Sequence, residues 1–96
     1  MTSLFSVRTT PRFDRLARAL TRAHPAFPGV YSRAVHILET DPYNRTRQHH
    51  IKKLEGVAPG EGQWRLSLGR FRFRYDIEGQ VVTLVYCGLR REDTYR

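Results

Sequence analysis

Basic residues, mostly arginines, alternate with large apolar residues between Trp64 and Tyr75, on both sides of a single glycine, Gly69. Guanidinium groups suit phosphate because they are always charged and present a planar fork of donors. Alternation with a period of two is typical of a strand that has one face in a core and the other in water. This stretch therefore indicates contact with a polyanion from one face of a sheet.

The pairing register of this stretch follows from its turn. Gly69 can take the positive φ that a two-residue hairpin turn requires, so we place the turn at Gly69-Arg70. The large apolar side chains then share one face, with Trp64 opposite Tyr75, whereas a slip by one residue would mix the two sets. The polar face pairs Ser67 with Arg72, and Arg65 with Arg74. Two like charges thus lie opposite each other, which should destabilise the hairpin by about a few tenths of a kcal/mol.

The charge of the whole chain agrees with a polyanionic partner. Its 96 residues include 17 Lys and Arg against 9 Asp and Glu, a formal net charge of +8. A chain of this length makes one domain with a modest core, at residues 1–96. The single cysteine, Cys87, excludes a disulfide framework, and no histidine and carboxylate cluster has the spacing of a metal site. With no apolar run of about 18 residues and no signal-peptide core, we expect a cytoplasmic protein that needs no cofactor.

The residues before the hairpin predict a short strand and two helices. Residues 4–7 are an apolar run typical of an edge or first strand. Thr10 can cap a helix that begins at Pro11, where the missing N–H costs nothing. A second helix covers about residues 27–41, and Pro25 separates the two. Apolar residues at helical spacing are placed inward: Phe13, Leu16, Ala17 and Leu20 in the first helix, and Tyr31, Ala34, Val35 and Leu38 in the second.

The remaining segments flank the hairpin. Residues 42–62 show little periodicity, and because about twenty structureless residues are long for a compact domain, either part of them is ordered or the loop is functional. After the hairpin, a tight turn at Glu78-Gly79 leads into the apolar run 81–87, which is typical of an interior strand. The elements together predict an α+β fold with a short N-terminal strand. In this fold two antiparallel helices pack on an antiparallel sheet of three to four strands.

Three stretches stand in order along the chain: KLEG at 53–56, WRLSLGRFRFRYD at 64–76, and GLRR at 88–91 followed by Tyr95-Arg96. In element order and spacing this combination resembles the RelE/ParE toxin superfamily, the small toxins of bacterial toxin–antitoxin pairs. The superfamily holds at least two activities on one fold. RelE-like members cut mRNA in the ribosomal A site, whereas ParE-like members poison DNA gyrase and lack nuclease chemistry.

The resemblance implies a set of residues for RNA cleavage by the 2′-OH. Arg72 matches the arginine that stabilises the phosphate, and Arg65 falls where RelE-like enzymes place a basic residue. Arg90 matches the arginine that assists the leaving group, and Tyr95 the tyrosine that stacks on the base or takes the 2′-OH proton. Ser67 departs from the family, because many of its nucleases have a second basic residue there. Further basic residues are assigned to RNA or phosphate binding: Lys52, Lys53, Arg70, Arg74 and Arg91.

The resemblance thus implies the toxin of a type II toxin–antitoxin system, a ribosome-dependent mRNA endonuclease. Its partners would be the ribosome, mRNA and an acidic antitoxin encoded beside it, which would neutralise the basic charge. Two alternatives stay open: a ParE-like gyrase poison without chemistry, and a catalytically inactive RNA-binding relative. His49 and His50 cannot both serve one site, because adjacent residues of an extended segment point apart. The aromatic residues of the hairpin are assigned to the core rather than to base stacking.

Overall fold

The computed structural model describes residues 4–90, so the predicted site residues Arg91 and Tyr95 lie outside the described residues. The chain runs β1 (Ser6–Thr9), α1 (Pro11–Ala23), α2 (Phe27–Thr40), β2 (Ile51–Lys53), β3 (Trp64–Leu68), β4 (Phe71–Glu78) and β5 (Val81–Leu89). The strands form one sheet in the order β1-β5-β4-β3-β2. Buried residues of both helices and of the sheet make one core, which confirms the predicted α+β architecture.

The sheet differs from the prediction in strand number and direction. It has five strands rather than three to four, and it is mixed because β1 runs parallel to β5, from Ser6 beside Val81 to Thr9 beside Leu84. The unexpected strand is β2, which pairs with β3 at the other edge. Its three residues, two of them exposed lysines, are too few to show alternation. A local sequence pattern could not predict the direction of β1 relative to β5 either, since alternation describes one strand and not its partner.

The central hairpin has the predicted register. All five predicted pairs form, from Trp64 with Tyr75 at the far end to Leu68 with Phe71 beside the turn. Gly69 adopts a φ of 58°, the left-handed conformation that the turn requires. The apolar partners therefore enter the core together, and the basic ones share the opposite face.

The second hairpin turns one residue later than predicted. Strand β4 continues through Glu78, so the turn is formed by Gly79-Gln80, and Gly79 has a φ of 59°. Strand β5 lies between β1 and β4, which confirms it as an interior strand. The β4–β5 register shifts by one residue between Arg74 and Tyr75, which leaves Val85 out of the paired positions.

The first helix has the predicted cap and inward face. The Thr10 hydroxyl accepts a hydrogen bond from the backbone N–H of Phe13 at 3.1 Å, and the helix ends at Ala23. In α2 the inward prediction is wrong at one position, because Ile37 is buried and Val35 is only half-buried. Neither helix within residues 4–90 has the length and apolar character that a membrane span needs.

The connection from α2 to β2 is ordered around Asp41. Asp41 is 8% exposed, and its carboxylate accepts hydrogen bonds from the backbone N–H of Arg45 at 2.7 Å and from the Thr46 hydroxyl at 2.7 Å. The side-chain amide of Asn44 bonds to both backbone groups of His49. Burial alone raises the pKa of Asp41, but these hydrogen bonds and the nearby His49 outweigh it, so this pKa lies below its ordinary value. Part of the segment between α2 and β3 is therefore ordered by its own polar groups.

Candidate functional site

Three cations and one aromatic ring lie in a row across the face of the sheet that points away from the helices, which we call the open face. The register pairs Lys52 with Arg65, then Arg65 with Arg74. Arg74 in turn pairs with Tyr86, so the row crosses four strands and spans about 14 Å at the usual strand spacing. We call these four residues the basic row. It brings together three of the residues predicted from sequence.

Arg72 occupies the next row of the open face, where it lies between Ser67 and Gly88. Its Nη1 donates hydrogen bonds to the backbone carbonyls of Gly69 at 2.7 Å and Phe71 at 2.9 Å. The guanidinium is therefore held at the hairpin turn before any ligand arrives. A cation that is already oriented stabilises developing negative charge without reorganisation.

The loop between β2 and β3 is anchored beside the basic row by one carboxylate. Asp76 Oδ2 accepts hydrogen bonds from the backbone N–H groups of Gly60 at 3.1 Å and Gly62 at 3.0 Å. Its Oδ1 accepts a third from the N–H of Gln63 at 3.0 Å. Because three backbone amides within four residues donate to the same carboxylate, this part of the loop has a defined conformation. The loop therefore forms a wall of the site.

Gly62 is the point where this loop touches the sheet. A Cβ at this residue would lie 2.8 Å from the Cβ of Arg74 and 2.9 Å from Cγ2 of Val85, and its φ is 87°. Only glycine fits such an approach without displacement. The Gly62 carbonyl also accepts a hydrogen bond from Arg74 Nε at 3.2 Å, which orients that guanidinium.

A cleft of 880 Å³ opens beside the basic row, between the sheet and this loop. Its charged lining residues are four cations and two carboxylates: Arg12, Lys52, Lys53, Arg74, Glu55 and Glu61. The volume lies within the range of about 300–1,000 Å³ that is usual for small-molecule sites. The excess of positive charge suits an anionic ligand of nucleotide size.

Arg12 is a candidate that sequence reasoning missed. It lies on α1 away from the residues that the helical pattern places inward. The backbone N–H of Thr10 donates to the carbonyl of Leu84 at 3.2 Å, which ties the start of α1 to β5. The Arg12 guanidinium thereby lies over the Tyr86 ring, 5.5 Å from its centroid, in a cation–π contact. The sequence signal that could have indicated this position is that Arg12 lies in the first turn of a helix that directly follows a strand.

Two predicted RNA-binding residues lie apart from the basic row. Lys53 points to the other side of the sheet, where its Nζ lies 5.5 Å from the centroid of the Trp64 ring, although it borders the cleft. Arg70 leaves the hairpin turn toward the helices, with Nη2 3.2 Å from His24 Nδ1. Arg90 follows β5, and its backbone N–H donates to the carbonyl of Arg70 at 2.8 Å. Arg90 is thus at the same end of the sheet as Arg72.

Three groups of the core have shifted pKa values. Burial raises the pKa of the Cys87 thiol to about 12. Burial, assisted by the charge of Asp41, raises the pKa of Tyr75, whose hydroxyl donates to the carbonyl of Pro42 at 2.7 Å. Burial also raises the pKa of Tyr31. None of the three can exchange protons with a substrate near neutral pH, so these core groups supply no acid or base to the site.

Among residues 4–90, no group of three His, Cys, Asp or Glu side chains is placed to hold a metal ion. The open face presents basic side chains, the Ser67 hydroxyl and the Tyr86 ring beside the cleft.

Comparison with known proteins identifies the architecture. No protein-family model matches the chain, and no curated protein is significantly similar to it. Among solved structures, a chain of the crystal structure of the archaeal RelE–RelB complex from Pyrococcus horikoshii OT3 matches with a TM-score of 0.64 and 21% sequence identity. The match covers 91% of this chain and 96% of that chain. The chain has a RelE-like fold.

The RelE-like fold confirms what the three sequence stretches indicated about architecture. At 21% identity the likeness concerns the fold alone. What the protein does has to be inferred from the residues that the RelE-like fold brings to its open face.

Proposed function

We propose that this protein is the toxin of a type II toxin–antitoxin system and cuts mRNA in the ribosomal A site. The observation that carries the proposal is the basic row on a RelE-like fold, with Arg72 in the adjacent row. A row of cations spaced along one sheet face suits the regularly spaced phosphates of a nucleic-acid strand. The ordered loop and the cleft beside the row favour a bound nucleotide over a merely solvated surface.

The reaction is the attack of a 2′-OH on the adjacent phosphate. The O2′–P bond forms and the P–O5′ bond breaks, leaving a 2′,3′-cyclic phosphate and a 5′-OH. Negative charge builds up on the phosphorane, and we assign its stabilisation to Arg72, with Arg65 beside it. Arg90 assists the leaving oxygen, and Tyr95 stacks on the base or takes the 2′-OH proton. Lys52 and Arg74 hold neighbouring phosphates.

The proposed protein partner is an acidic antitoxin encoded beside this gene. The solved structure with the same fold is a RelE–RelB complex, and the net charge of +8 suits an acidic partner. Complementary charge would speed association of the two chains and mask the open face. The toxin would act in the cytoplasm, where the ribosomes are.

The deciding experiment adds the purified protein to a translating extract and maps mRNA 5′ ends. We expect codon-phased cuts that depend on ribosomes. Arg72→Ala should lower the rate by ~10²–10³, the cost of removing about 3–4 kcal/mol of transition-state stabilisation. Arg33→Ala removes the same charge from the exposed surface of α2 and should leave cutting unchanged.

Two results would contradict this proposal. Intact mRNA together with broken DNA would favour the gyrase poison. Equal rates for Arg72→Ala and Arg33→Ala, with both variants folded, would mean that Arg72 does not meet the reacting phosphate.

A further inference from the structure

A histidine continues the open face beyond the first residue of β2. The backbone N–H of Ser67 donates to the carbonyl of His50 at 2.9 Å. This bond extends the register in which Ile51 pairs with Leu66, so His50 lies opposite Ser67. Side chains two residues apart in a strand share a face, which places His50 on the side of Lys52. The side chain of His50 is exposed.

The preceding histidine points the other way. His49 Nε2 lies 3.8 Å from Oδ2 of Asp41, the residue that ends α2. Asp41 belongs to the helix side of the sheet, so His49 and His50 leave the chain on opposite sides, as neighbours in an extended segment do. Of the two neighbouring imidazoles, only that of His50 therefore lies on the open face. His49 can serve as its control.

His50 completes a second row on the open face, which runs from His50 through Ser67 to Arg72. Two strand spacings separate its ends, about 10 Å between backbones. The residue between them, Ser67, has a small side chain, whereas a basic residue at that position would occupy more of the space between the imidazole and the guanidinium. The departure of Ser67 from the family pattern therefore leaves more room between a proton acceptor and a cation.

We propose that His50 is a catalytic residue of the RNA-cutting site, which accepts the 2′-OH proton while Arg72 holds the phosphate above Ser67. This inference rests on the proposed function. The proton moves from the 2′-OH to the imidazole as the O2′–P bond forms, and the leaving O5′ takes a proton from solvent as the P–O5′ bond breaks. His50 then returns its proton to solvent, so the enzyme is unchanged. Tyr95 is left to stack on the base.

The charges around His50 favour this direction of proton transfer. Lys52 lies two residues away on its own strand, Arg65 lies diagonally across on β3, and Arg72 lies on β4. A phosphate bound among these cations brings negative charge close to His50, and that charge stabilises the imidazolium that the transfer produces.

The first test measures single-turnover cutting in the ribosomal extract over a range of pH, for the parent and two variants. His50→Gln should lower the rate by ~10²–10⁴, the usual contribution of a general base, and should flatten the decline of rate at acid pH. His49→Gln removes the neighbouring imidazole and should keep both the rate and the pH profile. A parent-like rate and profile for His50→Gln would overturn the inference.

The second test does not depend on cutting. Histidine resonances are followed by NMR with a 2′-O-methyl RNA trinucleotide, which cannot attack its own phosphate. The ring resonances of His50 should shift on binding, whereas those of His49 should not move. If the trinucleotide shifts neither, or shifts His49 alone, His50 does not face the RNA. If the parent cuts no mRNA, the proposed function fails, while the trinucleotide still decides whether His50 belongs to an RNA site.

Discussion

Removal of the Asp76 carboxylate should destabilise the protein through the loop that it anchors. Three backbone N–H groups, those of Gly60, Gly62 and Gln63, donate to it. Hydrogen bonds to a charged group contribute about 1.5–3 kcal/mol each. Gly60 is exposed and its N–H can return to water, whereas Gly62 is buried and cannot. We therefore expect Asp76→Ala to lower the free energy of unfolding by about 2–4 kcal/mol rather than by the full sum.

Urea denaturation followed by tryptophan fluorescence measures this effect close to its origin. The chain has one tryptophan, Trp64, which directly follows the anchored loop. The matched control is Glu78→Ala, which removes the same charge from an exposed position of the same strand and should change stability by no more than about 0.5 kcal/mol. Asp76→Asn keeps one acceptor oxygen and should fall between the two.

The same substitution should also weaken the site. Without the carboxylate, the Gly62 carbonyl no longer has a fixed position from which to orient Arg74. We expect weaker binding of RNA by Asp76→Ala under conditions in which it is still folded. If Asp76→Ala unfolds at the same urea concentration as Glu78→Ala, the carboxylate does not anchor the loop and this reasoning is wrong.

Three further outcomes can be measured on the same protein. Gly62→Ala should lose about 1–3 kcal/mol of stability, since its new Cβ would lie 2.8 Å from that of Arg74, whereas Gly60→Ala, also at positive φ but with open space around it, should lose less. The pKa of Asp41 is lowered by folding, so its contribution is complete above the unfolded value of about 3.9 and is lost as pH falls through the folded pKa. The urea midpoint of the parent should therefore decline below about pH 4 more steeply than that of Asp41→Asn. The Cys87 thiol, with a pKa raised to about 12, should react with a thiol reagent at pH 8 at least ~10³-fold more slowly in the folded than in the unfolded protein.

The central hairpin could be predicted in detail because its information is local. Alternation over two short strands defines which side chains share a face, and the position of Gly69 defines the turn, so the register had one solution. The start of α1 is local in the same sense, because Thr10 caps the helix that follows it. In both cases the residues that specify the structure lie within a few positions of the residues that they arrange.

The site could be predicted only in part. Arg65 and Arg74 share the open face because the hairpin register puts them there. Arg12, Asp76 and His50 were not assigned to it, because their places depend on segments that are distant in sequence. Arg12 reaches the open face from α1 by its contact with the Tyr86 ring. Asp76 accepts hydrogen bonds from a loop that lies more than ten residues earlier in the chain. The position of His50 follows from the pairing of β2, an edge strand of three residues.

The sequence by itself determined the two helices, the hairpin register and the concentration of positive charge on one sheet face, since each follows from short-range periodicity and turn chemistry. Only the tertiary structure decided the parallel pairing of β1 with β5, the addition of β2, and the closure of a loop over the sheet. The physical reason is that the partners of an edge strand and the acceptors of loop amides are chosen by packing between distant segments. A local pattern states which face of an element is apolar, but not which other element will cover it.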